Sequence, residues 1–362
     1  MTDREQELLK WIQEDPLISQ QELARKAGIT RSSVAVHIAN LMKKGKIRGR
    51  GYIVQEEAYM VVVGAVNVDI TGTSETAMVP ADSNPGRVTM ALGGVGRNIA
   101  ENLSRMGVPV VMLTVVGDDA YAKEIQKNCR ELGIDLSHSL TAPGQRTSAY
   151  LCLNDADGEI VAAVSDMDIY QRITPAFLES RLELMNRASL VVVDANIPEE
   201  SVQYLAEHVR VPLVADPVSV KKAGRLKACL GRFAALKPNR PEARLLTGVT
   251  IKGRQGLEEA ARVMLDQGTQ NVFISLGPEG VFYSDGRHAG VQPCYPGRVV
   301  NTTGCGDAFV AAAALGFAKG FDIRRTARMG QAASSICAGS AGAVSQEISM
   351  ENILKIIDQT EE

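Results

Sequence analysis

The chain has 362 residues, of which 45% are hydrophobic and 22% charged, with a formal net charge of −3; this is the balance of a globular protein large enough for one sizeable domain and a small appendage. The six cysteines (Cys129, Cys152, Cys229, Cys294, Cys305, Cys337) form no CxxC pair, which argues against a zinc site or a disulfide framework and predicts a reducing, cytoplasmic setting. Residues 1–10 are charged and lack the apolar stretch of a signal peptide. No apolar run approaches the ~20 residues that span a bilayer, so no membrane partner is expected.

Residues 1–57 read as a separate module. Leu8, Leu9, Trp11 and Ile12 recur at helical spacing, and Pro16 ends that helix. Ser19 and Glu22 predict a reciprocal capping box for a short second helix, which Gly28 breaks. Thr30 is placed to cap a third helix with Val34, Ile38 and Leu41 on one face, and residues 45–54 read as a two-strand ribbon. Three helices and a ribbon predict a winged helix-turn-helix. From Arg25 to Arg50 there are eight basic residues (Arg25, Lys26, Arg31, Lys43, Lys44, Lys46, Arg48, Arg50) and no acidic one. That is the footprint expected for DNA phosphates. Arg31, Ser32, Ser33 and His37 fall where base edges are read, while Lys46, Arg48 and Arg50 fall where phosphates are met. The plainer alternatives are a solvated charged face or a module that only dimerises.

From Met60 onward, near-continuous apolar runs alternate with helical stretches: residues 60–64, 110–116, 190–194, 212–216, 234–237 and 272–276, with helices over 98–106 and 256–267 among those between them. Such runs suit parallel strands buried on both faces, so a doubly wound α/β domain is expected over residues 58–362. Residues 82–92 and 147–164 alternate apolar with polar residues and predict a small β lid over a ligand.

Three segments can carry chemistry. In Asn301-Thr302-Thr303-Gly304-Cys305-Gly306-Asp307, two glycines open a helical run, so the amides of residues 304–307 would cradle an anion at a helix N-terminus. Asp307 then stands where it can take a proton from an attacking hydroxyl. A helix-capping Asp after a Gly-rich turn fits the same residues equally. Gly93-Gly94-Val95-Gly96-Arg97-Asn98 opens another helix, with Asn98 free to bond a hydroxyl. Asn67-Val68-Asp69 falls at the end of the first strand of the sheet, where open α/β sheets bind ligands and an Asp can hold vicinal hydroxyls.

Together, on one α/β chain and in this order, the segments resemble the two signatures of the PfkB (ribokinase-like) carbohydrate kinases, over residues 60–358. The resemblance implies an ATP- and magnesium-dependent phosphotransferase with Asp307 as base and Gly304, Cys305 and Gly306 as anion hole. Asn67, Asp69, Gly93, Gly94, Asn98 and Asp166 would hold the substrate. Asn239-Arg240-Pro241-Glu242 is similar to the family's NxxE motif, with Glu242 serving magnesium through water, and Asn239, Ser275, Gly277, Gly280 and Thr303 would meet ATP. Within the family, residues 81–86, 93–103, 166–169, 216–219 and 236–240 resemble the pseudouridine kinases, which implies transfer to the 5′-hydroxyl of a nucleoside. Another nucleoside or a sugar is the alternative. Asn301 stands where potassium-using members usually carry Asp, so the resemblance leaves monovalent-cation activation open. Cys305 replaces a small Ala, and a thiol at a helix N-terminus is acid-shifted and oxidisable unless burial keeps it inert. A winged helix is foreign to the usual member. Its presence allows a second function class, a DNA-binding regulator whose kinase-like domain only senses its ligand. Two DNA modules would be presented by a homodimer paired through the lids.

Overall fold

The computed structural model describes residues 1–47 and 58–359, which form two compact units, Met1–Ala58 and Tyr59–Glu362. In the first unit, helices Asp3–Glu14, Gln20–Ala27 and Arg31–Lys43 enclose a small core of Leu8, Ile12, Leu23, Val34, Ile38 and Leu41. The sequence places the starts of the last two well: Ser19 and Thr30 accept from the amides of Glu22 and Ser33. The reciprocal capping box lies elsewhere than expected. The Glu22 carboxylate faces Arg25 at 3.5 Å, and Thr2 with Glu5 makes the reciprocal pair at the first helix. Most of the expected ribbon, from residue 48 on, lies outside the described residues.

The second unit is built on a nine-stranded sheet. Across it run Ala289–Gln292, Val281–Ser284, Val272–Ser275, Ala235–Leu236, Leu213–Asp216, Leu190–Asp194, Met60–Val63, Val110–Leu113 and Ile134–Asp135. The strands are parallel except for the hairpin at the Ala289 edge. Alternation along Met60–Val63 shows why the runs are apolar throughout. Met60 and Val62 enter the core on one face, Val61 and Val63 the core on the other. Helices Val95–Arg105, Cys305–Ala318 and Ile323–Ala338 cover the first face; Glu199–His208 and Gly253–Asp266 are among those covering the second. The Cys305–Ala318 helix is buried from Asp307 to Gly316, which explains its apolar residues on every side.

Four strands, in the order Gly86–Gly93, Asn67–Ser74, Ala149–Asn154 and Ile160–Asp166, form a second sheet. This is the lid, and it corrects one sequence expectation. Asn67 and Asp69 do not end the first strand of the main sheet; they begin a lid strand of their own. The break has a local cause. Past Gly64, whose amide still bonds Leu113 O, the amide of Ala65 goes to the Asp194 carboxylate and that of Val66 to the Tyr170 hydroxyl. With its donors taken by side chains, the chain leaves the main ladder and turns into the lid. The lid strand expected at residues 82–92 starts only at Gly86, and the run at 110–116 splits at Thr114. Among the described residues no helix is long and apolar enough to cross a membrane.

Candidate active site and nucleic-acid interface

Two helices of the second unit bring their N-termini together. Gly304 opens the Cys305–Ala318 helix at φ 82°, and a Cβ there would stand 1.9 Å from Ala343 O, so only glycine fits. The Cys305 amide turns back to Thr302 O at 3.3 Å. The amides of Gly306 and Asp307 are in the first turn, where a helix leaves its donors without internal partners and its dipole favours an anion.

The second helix, Val95–Arg105, starts at Gly94. Asn98 Nδ2 donates to Asp307 Oδ2 at 2.8 Å, and Asn98 Oδ1 accepts from Arg97 Nη1 at 3.3 Å. Arg97 is buried and held by Glu101 at 2.6 Å, Asn128 at 2.9 Å and Leu92 O at 3.1 Å. A donor on that side keeps the amide oxygen toward Arg97 and the NH2 toward Asp307. The sequence reading had not singled out Arg97. Asn67, buried, donates to Asp69, and Asp69 lies so close under Gly93 that a Cβ there would meet its Oδ2 at 2.0 Å. Burial raises the Asp69 carboxyl above its usual range, against the pull of Asn67 and Arg97. Asn67, Asp69, Gly93, Gly94, Asn98 and Asp307 thus form one cluster. Asp166 sits exposed at the end of the lid's edge strand, in register through Ala149 with Val68, and its carbonyl takes the Ser148 hydroxyl at 3.0 Å.

Beneath the cluster are two further acids absent from the sequence reading of the site. Asp194 and Asp216 are register partners at the ends of adjacent strands. Asp194 is fully buried and accepts from the amides of Ala65 and Asn196, each at 2.8 Å. Asp216 accepts from Val218 N at 2.7 Å and faces Lys237 Nζ at 3.7 Å. The signals available were the repeated strand-end Asp in Leu190-Val191-Val192-Val193-Asp194 and Leu213-Val214-Ala215-Asp216 and, for Asp216, the segment 216–219 that carries part of the family resemblance. Burial, then the Asp216 charge, pushes the Asp307 carboxyl up to about 8; Asn98 and Lys237 oppose this.

A cavity of about 530 Å³ opens beside the anion loop. Ser275, Gly277, Gly280, Cys305 and Gly306 line it, together with Arg298, Tyr295 and Gln331, which the sequence reading missed. Its size suits a nucleotide. Thr302 lines it, whereas Thr303, Asn239 and Glu242 do not. Asn239 and Glu242 cap the Arg240–Thr247 helix reciprocally: Glu242 Oε2 takes Asn239 N at 2.8 Å. Burial raises the Glu242 carboxyl. Among the described residues no cluster of three acidic, His or Cys side chains could hold a metal alone. Asn301 braces its loop, donating to Ala341 O at 3.0 Å and accepting from Thr303 N at 2.9 Å. The Cys305 thiol is pulled below its usual range, mainly by the neighbouring Cys337 thiol.

In the first unit, the Arg31–Lys43 helix turns Arg31, Ser32, Ala35, Val36, Ala39 and Lys43 outward. Two residues expected on that face are turned partly inward. Ser33 is half-buried and bonds the Thr30 hydroxyl at 2.8 Å, and His37 is half-buried with Nδ1 enclosed. Lys44 pairs with the buried Glu5 at 2.6 Å and so is engaged inside the module. Lys46 is half-buried, and Arg48 and Arg50 lie outside the described residues.

The Asp307 carboxyl has a measurable consequence without any turnover. Its folded-state pKa is raised from the ordinary ~4 to about 8, so the fold favours the neutral acid. That contribution to stability is complete below the unfolded value and is lost as pH rises through the folded one. Asp307→Asn, which imitates the neutral acid, is therefore expected to melt above the parent at alkaline pH without nucleotide, the gap closing toward pH 4. Thermal unfolding across that range checks it; a gap independent of pH would refute the shift.

Residues 57–349 match the profile of the pfkB family carbohydrate kinases, and residues 1–48 that of a winged helix-turn-helix DNA-binding domain. The chain is 35% identical over 361 residues to the uncharacterized sugar kinase YeiI of Escherichia coli (strain K12), covering 99% of both chains. It is 34% identical over 309 residues to pseudouridine kinase of the same organism, covering 85% of this chain and 99% of that one. Among solved structures, a carbohydrate kinase from Agrobacterium tumefaciens superposes with a TM-score of 0.73 at 30% identity, covering 83% of this chain and 97% of the other. Arabidopsis thaliana ribokinase, complexed with ribose and ATP, superposes at 0.75 with 23% identity over 83% and 99%, which shows the shared fold. With the paired helix N-termini, the lid and the family profile in agreement, the chain belongs to the pfkB family carbohydrate kinases, as a phosphotransferase acting on a hydroxyl group and carrying an amino-terminal winged helix-turn-helix.

Proposed function

We propose that this kinase transfers the γ-phosphate of ATP to the 5′-hydroxyl of a nucleoside, pseudouridine foremost, with Asp307 as the base. The observation that carries the catalytic part is the buried Asp307, hydrogen-bonded to Asn98 at the start of a helix whose first turn lines the cavity. The relative named pseudouridine kinase supports the acceptor. In this reading the cavity holds ATP along Ser275, Gly277 and Gly280, and Asn67, Asp69 and Asn98 hold the ribose hydroxyls. Asp307 takes the proton of the attacking hydroxyl, and the amides of Gly306 and Asp307 receive the phosphoryl oxygens. The capping box engages Glu242 Oε2, and Glu242 would be the residue to help hold magnesium, through water. Magnesium, when bound, neutralises charge on the phosphates. A raised carboxyl pKa means that nucleotide and magnesium binding must draw Asp307 toward its ionised form before it can act as base.

The lid supports a homodimer. Register pairs Met90 with Ile70, Ile70 with Leu151 and Leu151 with Val164, so four apolar side chains share one row on one face. Met90 is 57% and Val164 63% exposed. A second copy of the same row is the self-complementary cover such a face needs. The family match of the amino-terminal module and its outward Arg31, Ser32 and Lys43 support DNA binding with the Arg31–Lys43 helix in a major groove.

Three measurements test this reading. Purified protein with ATP and magnesium is expected to prefer pseudouridine to ribose by kcat/KM, and Asp307→Asn to lose about 10² or more of kcat while still binding ATP; preference for ribose over every nucleoside removes the nucleoside reading, and near-normal turnover of the variant removes the base. Light scattering should give twice the chain's mass, and Met90→Asp with Val164→Asp should halve it; a monomeric parent rejects the lid dimer. Selection of genomic fragments at ~0.15 M salt should enrich sites that a protein beginning at Glu57 does not, and no enrichment would reject a sequence-reading module.

A further inference from the structure

Lys237 is a buried cation that the roles above leave unused. It follows the Ala235–Leu236 strand and is 9% exposed. Its Nζ reaches the anion loop: a Cβ built on Gly306 would stand 3.0 Å from it. Its ion partner, Asp216 Oδ2, is 3.7 Å away, too far for a hydrogen bond. The ammonium also acts on Asp307, Cys305 and Glu242, holding each toward its ionised form. Taking an ammonium out of water is costly unless close partners use its three protons. Here the pairing is loose, and the charge points at the turn that lines the nucleotide cavity. A structural counter-ion for Asp216 alone would be expected in direct contact with it.

We propose that Lys237 is a catalytic residue, its ammonium binding the phosphoryl group in transit between ATP and the acceptor hydroxyl. This rests on the kinase reading above and adds the source of positive charge within the protein. In the step, the acceptor oxygen bonds to the γ-phosphorus while the bond from that phosphorus to the β–γ bridging oxygen breaks, its electron pair leaving with ADP. The hydroxyl proton goes to Asp307. Lys237 keeps its proton throughout and stabilises the charge carried by the oxygens in flight, working with the amides of Gly306 and Asp307. Asp216 holds the ammonium in position between turnovers. Because the contact tightens as charge develops, its loss should fall on the transition state more than on bound ATP.

The test uses Lys237→Met, which keeps length and volume without charge, and Lys237→Arg, which keeps charge. Acceptor turnover is measured with whichever hydroxyl compound the parent enzyme phosphorylates, so ribose in place of pseudouridine would alter the substrate assignment and leave this test intact. Lys237→Met is expected to lose about 10² or more of kcat, with acceptor KM within about threefold. Calorimetry with ADP, magnesium, aluminium fluoride and acceptor, a mimic of the transferring group, should show a loss of affinity that tracks kcat. Affinity for a non-hydrolysable ATP analogue should fall by less than about tenfold, and Lys237→Arg should restore part of the turnover. Turnover of Lys237→Met within threefold of the parent, or equal losses for the ATP analogue and the mimic, overturns the proposal. If Lys237→Met does not fold, Lys237→Gln carries the same measurements.

Discussion

Three carboxylates, Asp194, Asp216 and Asp307, converge at the carboxyl ends of the central strands, and one buried ammonium, Lys237, stands among them. That imbalance governs much of the surrounding structure. Asp194 accepts two backbone amides, and in doing so ends the Met60–Val63 strand and sends the chain into the lid. Asp216 uses the Val218 amide and keeps Lys237 in reach of the anion loop. Asp307 has a single side-chain donor, Asn98, and its charge is disfavoured by burial and by its neighbours. Burial and the neighbouring carboxylates thus disfavour the ionised form of Asp307, which a cation beside it would favour.

The geometry of the two helix starts follows from close backbone approach. Gly304 and Gly93 sit where a Cβ would strike the Ala343 carbonyl and the Asp69 carboxylate. Their absence of side chains lets the Cys305–Ala318 and Val95–Arg105 helices bring their first turns to one place, with Arg97 fixing the Asn98 amide between them. Arg97 is itself locked by Glu101 and Asn128, so the position of the Asp307 partner is set by a polar network inside the helix face.

What could be read from the sequence was local. Gly304-Cys305-Gly306-Asp307 announces a glycine-opened helix start because its glycines lie next to a strongly helical run, and the apolar runs announce a sheet covered on both faces. What could not be read depends on register or on which face a residue takes. Asp194 and Asp216 matter because their strands pair; Lys237 matters because its strand ends beside a loop some seventy residues away in the chain. Asn67 and Asp69 were misplaced because the break after Gly64 is made by Asp194 and Tyr170, neither of them near in sequence. Ser33 and His37 were assigned outward by position in the helix, yet the face that Val34, Ile38 and Leu41 bury carries them partly inward. The reciprocal capping bond expected of Glu22 is not made there, whereas Glu5, which the sequence reading did not single out, makes one with Thr2.

The brace of the anion loop comes from late in the chain. Val300 and Asn301 donate their amides to Ala338 O, the Asn301 side chain bonds Ala341 O, and Gly304 packs on the Ala343 carbonyl. During synthesis from the amino end, the helix-turn-helix unit, which has a core of its own, is complete long before those residues exist. At about 5–20 residues per second the interval is roughly 15–60 s. Translation that halts within it leaves a folded amino-terminal module attached to a chain in which no phosphoryl-transfer centre has formed.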